Sequence, residues 1–148
     1  MPRRCGVVRV DRIIVNKARR ELLLLYGESV LRSYRIGLGR NPVGPKAEEG
    51  DGKTPEGRYS IDRRNPKSSY HLSLHISYPN DSDRGQACER GVGPGGDIMI
   101  HGLRNGEGHI GQAHLETDWT HGCIAVTDEE MEEIWELVED GTPIEINP

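Results

Sequence analysis

The apolar residues of this chain come in short bursts, and that spacing constrains the fold more than any other feature. RIIV at 12–15, ELLLLY at 21–26, HLSLHI at 71–76, DIMI at 97–100, CIAV at 123–126 and PIEI at 143–146 are each bounded by polar or turn-forming residues. Runs this short favour strands over helices, and strands with one apolar face must pair into a sheet to bury it. With 148 residues, 34% of them hydrophobic and no Phe, the chain is one domain with a small aliphatic core. Ten of its 19 glycines lie between Gly85 and Gly122. That stretch is either a linker or a shaped, glycine-built site.

The pattern predicts strands at 12–16, 21–26 and 29–38, with a turn at Gly27–Glu28, and further strands at 57–62, 70–77, 97–102 and 142–146. In residues 70–77, Leu72, Leu74 and Ile76 alternate with Ser73, His75 and Ser77, so one face is buried and the other polar. His71 and His75 fall on the polar side and are expected at the surface. Residues 40–56 are dense in Gly and Pro and form a long loop, functional or mobile. Residues 103–118 have little periodicity and are expected to form a flap. One clear helix follows: Thr127 and Glu130 make a capping box, Met131, Ile134, Trp135 and Val138 share a face, and Gly141 ends it.

Charge is divided along the chain. Residues 1–20 carry seven basic side chains and one acidic, residues 128–148 carry nine acidic and none basic, and the net charge is −5. This balance argues against nucleic-acid binding and predicts solvated faces through which the two chain ends pair. No apolar run has the length of a membrane span, and Arg3, Arg4 and Arg9 interrupt the valines of the first ten residues, so no leader peptide is expected there. Three cysteines are too few for a disulfide scaffold. Cys5 and Cys88 either pair in an oxidising compartment or remain thiols.

Cys123 is the cysteine placed for chemistry. It follows Gly122 in Trp119-Thr120-His121-Gly122-Cys123-Ile124-Ala125-Val126, just before the capped helix. A thiol becomes a nucleophile when a base or positive field favours the thiolate and backbone N–H groups face the developing oxyanion. Gly122 allows such a turn, and His101 or His121 supplies the base. The residues alone leave two rivals. One is a structural cysteine beside a packing histidine. The other is a metal site drawn from His101, His109, His114, His121 and Cys123, although their spacing matches no common structural zinc pattern.

The segment His101-Gly102 … Thr120-His121-Gly122-Cys123-Ile124 resembles the signature of the YkuD family, the L,D-transpeptidase catalytic domain. The resemblance extends to Thr54-Pro55-Glu56-Gly57-Arg58-Tyr59, to Gly37-Leu38-Gly39, and to the terminal Gly141-Thr142-Pro143-Ile144-Glu145-Ile146. Residues 70–76 with Tyr78-Pro79-Asn80 are similar to the YafK-like branch. The resemblance implies a mainly β, single YkuD-like β-sandwich/barrel domain over residues 11–148 with one main C-terminal helix, preceded by an N-terminal extension, 1–10.

It further implies that Cys123 is the nucleophile and His101 the general base, oriented by the Gly102 carbonyl. Gly122 and Cys123 would supply oxyanion N–H groups, and His121 would be a secondary site residue. Thr120, Tyr78 and Arg104 are candidates for substrate contact, as are Arg63, Arg64 and Lys67. No cofactor or metal is implied. The implied partners are peptidoglycan stem peptides, with a second stem, a lipoprotein lysine or water resolving the acyl-enzyme, and the implied location is the periplasm or cell envelope. A non-catalytic cell-wall-binding domain is the competing class. Two features depart from the family pattern: the interval from His101 to Thr120 is longer, enlarging the flap, and Ala125 stands where Arg or Asn is common.

Overall fold

Alternation along the first strands dictates which side chains become core. In the computed structural model, which describes residues 9–148, strand β1 (Arg12–Asn16) buries Ile13 and Val15, and β2 (Glu21–Tyr26) buries Leu22 and Leu24. Strand β3 (Ser29–Arg35) then returns along β2, and Tyr34 lies opposite Leu22. Of the predicted extension 1–10, residues 1–8 lie outside the described residues, and with them Cys5 and any pairing of it with Cys88.

The second half of the sheet holds β4 (Gly57–Ser68), β5 (His71–Ile76), β6 (Met99–His101), β7 (Ile124–Ala125) and β8 (Pro143–Asn147). The order across the eight-stranded sheet is β3-β2-β1-β8-β4-β5-β6-β7. Pairs β1–β8 and β6–β7 are parallel and the others antiparallel. The last strand thus sits in the middle, joining the meander β1–β3 to β4–β7. Its Ile144 faces Ile13 on one side and Tyr59 on the other, and Ile146 faces Val15. Beyond β3 the chain bridges to Ala125 at Gly37 and to Thr120 at Gly39, so the two outer strands meet and the sheet curls toward a barrel.

Helix α1 (Asp81–Glu89) has no counterpart in the sequence-based expectation. Only Ala87 of it is buried, so it carries no apolar stripe; a capping box between Asn80 and Asp83 starts it instead. Helix α2 (Asp128–Leu137) has the predicted Thr127–Glu130 capping box, and its Met131 and Ile134 complete the core. Among the described residues no helix is long and apolar enough to cross a membrane.

Three expectations change. Strand β4 runs to Ser68 because its polar second half pairs with β5, with Pro66 at a register shift where a missing N–H costs nothing. The flap is more ordered than its lack of period suggested: 3-10 turns occupy Gly108–Glu116, and Asn105 stitches its base to Ser68, Ser69 and His71. Among the described residues, charged groups near the two chain ends pair with the middle of the chain. Arg20 meets Asp118, Lys17 meets Glu56, Asp140 meets Arg64, and Glu132 meets His71.

Because β8 pairs with β1 on one side and β4 on the other and so ties the two halves together, truncating its core side chains should cost more than truncating edge ones. Ile146→Ala should lower unfolding free energy by about 3 kcal/mol in urea titrations, whereas Val30→Ala on the exposed side of β3 should change it by less than about 0.5 kcal/mol.

Candidate active site

Strands β6 and β7 run parallel with Ile100 opposite Ile124 and His101 opposite Ala125. Ile100 and Ile124 are fully buried in the core. Residues one step away point to the opposite face, so His101 and Cys123 emerge together. Both line one cavity of about 490 Å³, whose walls also include Asn65, Tyr70, Asp97 and Trp119.

The His101 ring is held from three sides. It donates from Nδ1 to the Gly102 carbonyl at 2.7 Å, which assigns the proton to Nδ1 and leaves Nε2 as the basic nitrogen. Tyr70 stacks on it at a centroid distance of 4.4 Å, and Trp119 lies 5.9 Å away at an angle. Burial disfavours the charged ring and pushes His101 down to about 4, although the Gly102 carbonyl pulls the other way.

The Cys123 thiol donates to the carbonyl of Asp97 at 3.2 Å. Asp97 adopts φ +55°, in the left-handed region, directly after Gly95 and Gly96. Burial pushes the thiol up to about 11, more than a bond from the Met99 backbone lowers it. Both reactive groups therefore rest neutral near pH 7.

The turn that presents Cys123 is braced by Thr120 and by the 40–56 loop. The Thr120 hydroxyl donates to the Cys123 carbonyl at 2.7 Å and accepts from the Gly122 N–H at 3.1 Å. At Gly122, with φ +134°, an added Cβ would lie 2.7 Å from the Lys53 carbonyl oxygen, and at Gly39 it would lie 2.2 Å from that of Gly52. Only glycine permits these approaches. The loop is rigidly built around Asp51, whose carboxylate accepts from the N–H groups of Ala47, Glu48 and Lys53 and from the Lys46 ammonium. Burial alone would raise Asp51, but these donors outweigh it and bring it to about 2.

Other candidates are placed as follows. Arg104 lines the cavity, 6.0 Å above the Tyr70 ring and paired with Glu107. His121 lines it too, with Nδ1 accepting from Arg40 at 2.8 Å. Tyr78 does not line it: the side chain is 2% exposed, packs edge-on against Tyr59 and donates to the Pro94 carbonyl, so the expectation of substrate contact is corrected to a core role. Thr120 does line the cavity, and its hydroxyl bonds on both sides within the turn. The Gly122 N–H is likewise engaged, unlike the free oxyanion donor expected. His71, 34% exposed, lies at the surface as expected and bonds Glu132, whereas His75, 12% exposed against Asp62, is corrected to a largely buried position.

Sequence reasoning missed Tyr70, Trp119 and Asp97. Trp119 adjoins the Thr120–Cys123 stretch, and the paired glycines before Asp97 were the available sign of a special backbone there. Among the described residues no group of three or more His, Cys, Asp or Glu side chains is arranged to hold a metal ion. Among the metal rivals, His114 instead accepts from Trp119 in the flap.

The family model for YkuD, the L,D-transpeptidase catalytic domain, matches residues 10–146. This chain belongs to the YkuD family. YafK of Escherichia coli (strain K12) is 33% identical to this YkuD domain over 122 residues, which make up 80% of this chain and 42% of YafK. The helical cell shape determining protein Pgp2 of Campylobacter jejuni superposes with a TM-score of 0.70 at 26% identity, over 94% of this chain and 48% of Pgp2. Bd1075 of Bdellovibrio bacteriovorus gives a TM-score of 0.64 at 26% identity, with 94% and 48% covered. The YkuD domain thus spans about half or less of the length of these relatives.

The displaced histidine has a thermodynamic signature. The folded state binds its proton less tightly than the unfolded chain, so His101 contributes stability above pH 6.5 that is lost as pH falls toward 4. The loss should reach about 2–3 kcal/mol near pH 4.5. His101→Gln should abolish that share of the loss, measured as a smaller difference in urea unfolding free energy between pH 7 and pH 4.5.

Proposed function

We propose that this YkuD domain is a cysteine-dependent L,D-transpeptidase that acts on peptidoglycan stem peptides in the cell envelope through a Cys123 thioester. The observation that carries this reading is the one cavity lined by both Cys123 and a histidine whose Nδ1 is bonded to the Gly102 carbonyl, which leaves Nε2 as its basic nitrogen. Family membership makes the acyl-transfer chemistry of stem peptides the natural assignment.

The neutral resting state shapes the mechanism. A thiol near 11 and an imidazole near 4 do not form a standing ion pair, so the proton moves as the sulfur attacks. Cys123 Sγ adds to the carbonyl of the third stem residue while His101 Nε2 takes the thiol proton. The imidazolium so formed is held by the Gly102 carbonyl and by the π-face of Tyr70. The oxyanion is taken by the N–H of Cys123. Collapse breaks the bond to D-alanine, whose nitrogen receives the proton from His101, and leaves the thioester. An amine, from a second stem or a lipoprotein lysine, then attacks the thioester carbonyl and gives a proton to His101 Nε2; collapse breaks the C–S bond, forms the new amide, and the departing Cys123 thiolate takes that proton back from His101.

Incubation with a stem tetrapeptide should add the tripeptide acyl mass to the protein, with release of alanine, as read by intact-protein mass spectrometry. Cys123→Ala should show no adduct and no turnover, and His101→Gln should slow adduct formation by about 10²–10⁴-fold. Turnover by Cys123→Ala would overturn the proposal. Addition of an amine acceptor separates transfer from hydrolysis: a cross-linked product marks transfer, and free tripeptide alone marks water as the acceptor.

A further inference from the structure

Four cationic side chains were candidates for holding a substrate carboxylate, and the structure separates them. Arg64 is spent inside the fold: it pairs with Asp140, donates to the carbonyls of Trp135 and Val138, and covers the Trp135 ring. Arg104 is paired with Glu107 over Tyr70. Lys67 lines neither cavity described here. Arg63 is exposed and lines a second cavity, of about 320 Å³, where its guanidinium has no hydrogen-bond or ion-pair partner among the described residues.

This second cavity continues the first. Asn65, Ser73 and Met99 line both. The register explains why: Arg63 pairs with His75, His75 with Met99, and Met99 stands one step before Ile100, beside Cys123, whose sulfur its backbone approaches. Arg63, His75, Met99 and Cys123 thus form one row across four strands. Three strand spacings of about 4.8 Å separate the ends of that row by about 14 Å. The reach of the arginine side chain shortens the gap to roughly 8 Å, about the rise of one extended residue plus the length of an acidic side chain.

We propose that Arg63 forms an anion subsite that binds a carboxylate of the acyl-donor peptide, carried by the residue preceding the one whose carbonyl Cys123 attacks. The planar guanidinium suits a carboxylate, which it meets with two parallel N–H donors. His75 does not compete for that anion, because Asp62 already holds it at 2.6 Å. The subsite fixes how the donor lies across the sheet, over β5 and β6, with its acyl carbonyl at Cys123.

The inference rests on the acyl-transfer reading, so its test includes a measurement that needs no chemistry. Two stem tetrapeptides are compared that differ only in whether the second residue bears a free carboxylate or the carboxamide. The acid-to-amide ratio of kcat/KM should be about tenfold in the parent, fall to near one in Arg63→Gln, and be partly kept in Arg63→Lys. A ratio unchanged by Arg63→Gln overturns the subsite, and using a ratio cancels any general loss of folded protein. Calorimetric binding of both peptides to Cys123→Ala, with and without Arg63→Gln, separates this proposal from the proposed function. Acid-selective binding erased by Arg63→Gln supports the subsite even where turnover is absent. Equal acid and amide affinities for Cys123→Ala overturn it even where turnover proceeds.

Discussion

The parallel pairing of β6 with β7 is the contact on which the site depends. It is only two residues long, yet Ile100 and Ile124 anchor it in the core, and the residues beside them are the histidine and the cysteine. A one-residue slip of β7 against β6 would turn Cys123 inward and Ile124 outward. Further bonds oppose that slip: Ala125 exchanges both backbone bonds with Gly37, and Val126 donates to His101. The placement of His101 and Cys123 on one face is therefore inherited from core packing.

Neutrality is the second theme of the site. Water is largely excluded from His101, and the thiol faces a carbonyl oxygen, so charge separation waits for a substrate. That arrangement protects a cysteine from casual oxidation, since the thiolate is the vulnerable form. In the proposed mechanism, the charge that develops on His101 falls to the Gly102 carbonyl and the Tyr70 ring.

Where burial is periodic, the fold was legible from residues alone. Strands β1, β2 and β8 alternate, and α2 announces itself through Thr127, Glu130 and an apolar stripe. Helix α1 and the outer half of β4 were not legible, because caps and pairing between polar residues hold them and neither leaves an apolar period. Cys123 and His101, both singled out in the sequence, line one cavity. Tyr78 was misplaced because a tyrosine beside a proline looks the same in a core as in a cleft. Thr120 lines that cavity as expected, while its hydroxyl bonds within its own turn. Tyr70 reaches His101 from a turn 31 positions earlier, a contact that only sheet register creates.

The central place of β8 also sets an order of assembly. A chain emerging from the ribosome presents β1–β3 first and β4–β7 later, and each group can form neighbouring pairs as it appears. The two groups meet across β8, which follows both in the chain, and its partner β1 lies far back in sequence, so loop-closure entropy delays that docking. Until it happens, the curl that brings Gly37 against Ala125 lacks its middle strand. Every other strand can be in place while Cys123 still lacks its finished surroundings, and maturation of the site is a late, whole-domain event.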